Sequence, residues 1–290
     1  MTELLLQALY SGLLQGCSYA LIALGLALVF GSTRVINLAH GELVLLAAYV
    51  AYTLESGFGL GPVAAIPAAL AVTCVASAGV YGVVRRIRQD REINSLILTF
   101  GIGIILTNAM LLVWKADVRS TSSTWLQDAV VLGPLYSMRS ELLFAVLAVL
   151  LLAALWWWLA RSWHGRALRA VASNRDAAAL MGIRPGRVEL LSFLVSGALA
   201  AFAGVALYCY GVIQPAYGGA LTIKAFVITV LAGVGSIPGV LLGALLLGVC
   251  EALTVTLASS ALQELAGMVL FLLVLFVLPN GLLGTARRRG

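Results

Sequence analysis

The sequence predicts an all-α polytopic membrane protein, and three observations carry that prediction: composition, the length of the apolar runs, and the places where arginine falls. Of the 290 residues, 62% are hydrophobic and 10% charged, against about 25% charged in an ordinary soluble domain. A soluble surface of this size cannot be covered with so few charges, so most of it must face lipid. Apolar runs of membrane-crossing length recur along the chain, and a helix is the form in which such a run satisfies its own backbone hydrogen bonds. The basic residues gather in short loops rather than along one face. The formal charge of +6 therefore speaks for orientation in a bilayer and against nucleic-acid binding.

The first run, residues 4–30, is interrupted only by Ser11, Gly12, Gln15 and Ser18, and Gly12, Gly16, Ala20 and Gly25 predict close helix contact. It lacks preceding Lys or Arg and is too long for a signal peptide, so it is expected to act as its own targeting signal. GSTRVINLAHGE, residues 31–42, then packs Arg34, Asn37, His40 and Glu42 between two apolar segments. The second run, 43–54, is too short to cross unless residues before it lie at membrane depth, which predicts a discontinuous helix near 31–42. The third, 63–84, ends in RRIRQDRE (85–92), where four arginines against two acids predict a cytoplasmic loop. The fourth, 93–114, and fifth, 141–160, flank a polar interval, 115–140, with a positive excess of one. Alternation puts that interval on the far side and residues 161–187 back in the cytoplasm, with Trp156, Trp157 and Trp158 as an interfacial anchor.

A sixth run, 188–210, leads to GVIQPAYGG. Residues 224–257 form a stretch of 34 residues, well beyond the roughly 20 needed to cross. GVGSIPG breaks it, so a second discontinuous segment is expected near 224–239, crossing either twice or once with a re-entrant part. The last run is 265–278. About eight spans are expected, with nine possible, in one domain covering 1–290. The tail arginines Arg287, Arg288 and Arg289 prefer the cytoplasm, and two crossings by 224–257 would lead them there.

Three groups of residues invite a functional reading. The 161–187 loop sets Arg161, Arg166, Arg169, Arg175, Arg184 and Arg187 against Asp176 alone. Within it Ala170, Val171, Ala177, Leu180, Met181 and Ile183 recur at helical spacing and predict a short amphipathic helix. It is either a topogenic loop at the headgroups or a docking helix. In the second reading Ala172, Ala177, Ala178 and Ala179 permit close approach, Leu180 and Met181 fill a partner's groove, and Gly182 ends the helix. The second group, Arg34, Asn37, His40 and Glu42, is expensive in hydrocarbon. These residues support a helix break through an Arg34–Glu42 pair and an Asn37 cap, or touch a solute or gate, or relay protons between His40 and Glu42. The third is Lys224 with Gly233, Gly235, Pro238 and Gly239. Such a break aims backbone groups at a solute, or its glycines simply pack. Gln214, Pro215, Tyr217, Gly218 and Gly219 read as an outward lip.

No catalytic constellation is found. Cys17, Cys74, Cys209 and Cys250 sit singly in apolar runs, AHGE lacks the second histidine of a zinc helix, GIGII at Gly101 lacks the third glycine, and no nucleotide-binding loop is present. No metal site and no cofactor are expected in this chain. Transport driven by nucleotide would need another polypeptide to bind ATP and Mg.

Three segments in order, ALIALGLALVFGSTRVINLAHGELVLLAAYV (20–50), GRALRAVASNRDAAALMGI (165–183) and KAFVITVLAGVGSIPGVLLGALLLGVCEAL (224–253), resemble the permease family of bacterial branched-chain amino acid ABC importers, in its shorter type. The resemblance covers nearly the whole chain. It implies a transmembrane permease in the bacterial inner membrane that pairs with a second homologous permease, two cytoplasmic ATPase subunits and a periplasmic solute-binding protein. It further implies alternating access. Asn37, His40, Gly41 and Glu42 would line or support the pathway. Gly165, Arg166, Arg169, Ala178, Leu180, Met181 and Gly182 would couple to the ATPases, and Gln214, Pro215, Tyr217 and Gly218 would meet the binding protein. Two departures stand out: Ser173 and Asn174 occupy the start of the coupling motif where an acid is usual, and Pro279, Asn280 and Gly281 replace Pro-Thr-Gly. Related permeases carry branched-chain or other amino acids, short amides or urea, which makes hydrophobic L-amino acids the default solute. The competing class is an ion-coupled transporter with ions at the broken helices; a membrane enzyme using His40 and Glu42, or a scaffold, ranks below it.

Overall fold

A computed structural model describes residues 1–87, 89–233 and 235–283. Arg88, in the 85–92 loop, and the tail arginines Arg287, Arg288 and Arg289 lie outside the described residues. In chain order the elements are α1 (Thr2–Thr33), α2 (His40–Phe58), α3 (Ile66–Val84), α4 (Arg91–Trp114), α5 (Thr124–Gln127), β1 (Ala129–Leu132), β2 (Leu135–Met138), α6 (Arg139–Arg161), α7 (Trp163–Ser173), α8 (Arg175–Leu180), α9 (Pro185–Tyr210), α10 (Gly218–Ala232), α11 (Ile237–Leu257) and α12 (Gln263–Val277). Among the described residues, 8 helical stretches are long and apolar enough to cross a membrane, so the chain is a multi-pass membrane protein. The set differs from the expected one. Residues 224–257 resolve into α10 and α11, while α2, 19 residues long with polar groups at its start, is not among the 8.

The bundle is built around α1. Its residues Ala20 to Val29 are buried on every face, as the core of a helix bundle must be. A Cβ on Gly12 would stand 2.7 Å from the Val249 Cα, and one on Gly16 2.8 Å from the Leu245 Cα. Only glycine lets α1 and α11 approach this closely, the small-residue packing expected of the first run. The periphery is apolar and open: Leu112 on α4 is 86% exposed and Phe276 on α12 89%.

The two ends of the bundle differ. At one end Arg91 and Arg175 both pair with Glu189, which brings the loops 85–92 and 161–187 together as the charge pattern requires. The turn between α10 and α11 joins them, with Gly235 packed on Gly31. Leu282 and Leu283 donate their N–H groups to the carbonyls of Leu231 and Ala232, so the last described residues also lie here. Residues 224–257 thus divide between α10 and α11, which meet at this end.

At the other end the polar interval 115–140 contains something the pattern did not predict, the antiparallel hairpin β1–β2. Gly133 turns it with φ 66°, a conformation that suits glycine. Gly133-Pro134 between AVVL and LYSM was the available signal. Gln7 and Tyr10 of α1 hold the hairpin through Tyr136 and Ser137.

Candidate translocation and coupling site

The first discontinuity is present, and it reverses the chain within the bundle. α1 stops at Arg34, whose φ of 58° and N–H bond to the Phe30 carbonyl make it a left-handed C-cap. The following residues turn back inside. His40 is fully buried, and its Nε2 lies 2.9 Å from the carbonyl oxygen of Ile22. Ile22 is three turns back along α1, about 16 Å from its end at 1.5 Å per residue, so α2 begins inside the bundle rather than at its surface. The backbone of the reversal is satisfied by side chains, as burial demands. The Leu38 N–H donates to the Thr99 hydroxyl at 3.0 Å and the Ala39 N–H to Asn37 Oδ1 at 3.2 Å. Asn37 thus shapes the turn into α2, while Ala39 is the N-cap residue.

The Arg34–Glu42 pair is not made. Arg34 is exposed and borders an end-face cleft with Arg91, Arg175 and Glu189, because a left-handed cap at the end of α1 directs it away from the interior. Glu42 goes the other way. It is 5% exposed, and its Oε2 has no hydrogen-bond partner.

The start of α10 meets the start of α2 at this carboxylate. The Gly41 N–H donates to Thr222 Oγ1 at 2.8 Å, and a Cβ on Gly41 would strike the Gly218 carbonyl and stand 2.6 Å from the Thr222 hydroxyl oxygen. A Cβ on Gly218 would lie 2.9 Å from Glu42 Cδ. Two helix N-termini therefore converge on one buried acid, each bringing the positive end of its dipole.

This contact corrects two expectations. Gly218, read as part of an outer lip, is buried against Glu42. Of its neighbours, Pro215 is buried, Gln214 half-buried and Tyr217 43% exposed. Gly233, Gly235, Pro238 and Gly239 belong to the end-face turn rather than to the interior break: Gly233 and Gly235 take φ of 86° and 83°, Ser236 caps α11 by accepting from the Gly239 N–H at 3.2 Å, and Pro238 stands in its first turn. The glycines serve a positive-φ turn, and the interior break lies upstream, at Gly218.

Lys224, one further turn and a half along α10, is held in a charged cluster. Its Nζ lies 3.0 Å from Glu251 Oε2 and 2.8 Å from the Tyr19 hydroxyl, with the ammonium 4.7 Å from the Tyr19 ring centroid. Glu251 Oε2 also accepts from the Tyr19 hydroxyl at 2.6 Å and from Gln263 Nε2 at 2.8 Å. Glu251 escaped the sequence reading, although a lone acid inside an apolar run was a signal for it.

The 161–187 loop folds as two helices rather than one. Ser162 caps α7 through the Gly165 N–H, and Asn174 Oδ1 caps α8 by accepting from the N–H groups of Asp176 and Ala177. A cap-favouring residue at 174 ends one helix and starts the next. Gly165 and Ala178 face inward; Ala167, Leu168, Val171, Ala178 and Val188 make a small core. Arg166 bonds the Arg161 carbonyl and Arg169 the Leu159 carbonyl, tying the loop to α6. Gly182, with φ 83°, closes α8. Leu180 and Met181 are left 89% and 83% exposed at its tip.

At the start of α8 lies Glu189, also missed in the sequence. It is 1% exposed and accepts two bonds from Arg91, at 2.9 and 2.8 Å, one from Arg175 Nε at 2.9 Å and one from the Tyr81 hydroxyl at 3.3 Å. One carboxylate thus joins α8 to α3, α4 and α9.

The sequence profile of the family described as branched-chain amino acid transport system, permease component, matches residues 8–278. The chain is 35% identical to the high-affinity branched-chain amino acid transport system permease protein LivH of Escherichia coli, over 96% of this chain and 95% of that one. It is 37% identical to the corresponding protein BraD of Pseudomonas aeruginosa, with the same coverage of 96% and 95%. A more distant relative, 30% identical over 88% of this chain and 73% of the other, is the autoinducer 2 import system permease protein LsrC of Yersinia pseudotuberculosis. No solved structure matches the chain. With the full bundle covered by the profile and by these relatives, the chain belongs to the family of permease components of branched-chain amino acid transport systems.

Proposed function

We propose that this permease carries branched-chain or other hydrophobic amino acids into the cell across the bacterial inner membrane, by alternating access driven by ATP hydrolysis. ATP and Mg bind two cytoplasmic ATPase subunits; a second homologous permease completes the channel, and a periplasmic solute-binding protein delivers the solute at the end that carries the β1–β2 hairpin. The observation that carries this reading is the α8 tip. Leu180 and Met181 stand exposed beyond the helix, as anchors for an apolar groove. Behind them Arg175 and Glu189 make a hydrogen-bonded link to α9 and, through Arg91, to α4. A push on α8 by an ATPase would reach two membrane helices through one buried carboxylate. The names of the Escherichia coli and Pseudomonas aeruginosa relatives support the solute class.

The test is reconstitution of the chain with the partner subunits encoded beside it, followed by uptake of labelled leucine with urea and a short amide as competitors. Uptake that requires the binding protein and ATP hydrolysis is expected. Uptake that persists with an inactive ATPase and follows an ion gradient would replace the reading with an ion-coupled one, and preference for urea or the amide would replace the solute.

A further inference from the structure

We infer that the cleft between α1, α9, α10 and α12 is where the solute sits, with Lys224 receiving its carboxylate and Glu264 its ammonium group. This deepens the transport reading and rests on it. The cleft has a volume of about 340 Å³, walled by Ser18, Ile22, Leu207, Leu221, Lys224 and Glu264 among others, and small-molecule sites run from about 300 to 1,000 Å³.

An ionisable residue inside a membrane bundle is costly and marks a pathway or a partner. Lys224 has a partner, but the pairing is incomplete. Two of its N–H groups go to Tyr19 and Glu251, and the ammonium has three to give. Its side chain is 23% exposed, whereas that of Glu251 is 1%, so the cation and not the acid is presented to the cleft. Glu264 makes none of the ion pairs found among the described residues. Together with Lys224 and Glu251 it also lines a second cleft, of about 80 Å³.

A cation and an exposed, separate acid lining one cleft with Ile22, Leu207 and Leu221 suit a zwitterion with an apolar side chain. Its carboxylate takes the third Lys224 N–H, its ammonium faces Glu264, and the side chain lies against Ile22, Leu207 and Leu221. Such a solute adds no net charge to the membrane interior, and Glu251 neutralises Lys224 while the cleft is empty. Tyr217 and Ala220, which flank the Gly218 contact with Glu42, line the cleft, so the site lies next to the start of α10.

The test uses the whole complex in proteoliposomes. The unsubstituted complex is assayed first; if it imports no amino acid, the transport reading fails, not the site. The double variant K224M/E251Q removes both charges and strands neither. Leucine uptake should fall at least about tenfold, the worth of a charge-assisted hydrogen bond, while hydrolysis stimulated by the binding protein persists. Uptake within about twofold of the unsubstituted complex would overturn the proposal. Ala220→Cys, an exposed position on α10 that lines both clefts, gives a second readout. An anionic, membrane-impermeant thiol reagent should label it above the baseline of the native cysteines, and leucine with binding protein should slow the labelling. No labelling, or labelling that leucine leaves unchanged, would overturn the site even where the double variant does not assemble.

Discussion

Glu189 and Glu42 are both buried, at 1% and 5% exposure, yet they are treated oppositely. Glu189 is met by two guanidinium groups and a tyrosine hydroxyl; Glu42 has two glycine-lined helix starts around it and an oxygen without a partner. The first is compensated by opposite charge; the second faces no opposite charge and sits among backbone dipoles. Neutralising Glu189 removes the charge from every one of those bonds at once, and hydrogen bonds to a charged group are the stronger kind. A carboxylate held by dipoles strands nothing when its charge goes. The difference assigns mechanical connection to the end-face acid and a place in the interior break to the other.

Glu189→Gln should have the largest effect. It leaves Arg91 and Arg175 facing a neutral amide; a hydrogen bond to a charged group is worth about 1.5–3 kcal/mol, and water offsets part of the loss at Arg175, whose side chain is 54% exposed. The melting temperature of the purified complex should drop sharply, and a drop no larger than that of Glu42→Gln would break the comparison. Gly41→Ala comes next. Its methyl would strike the Gly218 carbonyl, and overpacking of this kind costs about 1–3 kcal/mol; the variant should lose both stability and uptake. Retention of both would mean that the two helix starts are not in contact.

Leu180→Asp should leave the melting temperature alone, since the side chain is 89% exposed. It should weaken ATPase docking by about 2 kcal/mol, the scale of an apolar anchor, and separate hydrolysis from leucine entry. Full uptake by a correctly assembled variant would remove α8 from the coupling role and leave the Glu189 cluster as a static brace. Glu42→Gln should be the mildest for stability, within about 1 kcal/mol, because no opposite charge is stranded. Its uptake rate then reports on the break without a folding defect to obscure it.

Much of this molecule was legible in the chain. The apolar runs, the placing of arginine loops on one end, the reversal before α2 and the glycine seam between α1 and α11 follow from hydropathy, charge and residue size, which act locally. Gly182 as the end of α8 was legible for the same reason. Other features were not. Arg34 and Glu42 are close in sequence with opposite charges, yet a left-handed cap at the end of α1 sends them to different depths. Gly233 and Gly218 both sit in glycine-rich stretches, and nothing local says which is the surface turn and which the interior contact.

By itself, then, the sequence determined that the chain crosses a bilayer many times, which loops share a face, and where helices stop, because the cost of exposing backbone or charge to lipid is paid residue by residue. Tertiary structure decided which buried charges meet. Arg91 and Arg175 reach Glu189 from separate helices, Lys224 reaches Glu251 across α10 and α11, and Glu42 meets the start of α10 from α2. Each of those meetings depends on how helices far apart in the chain are packed, and a pattern of three- and four-residue steps holds no record of that.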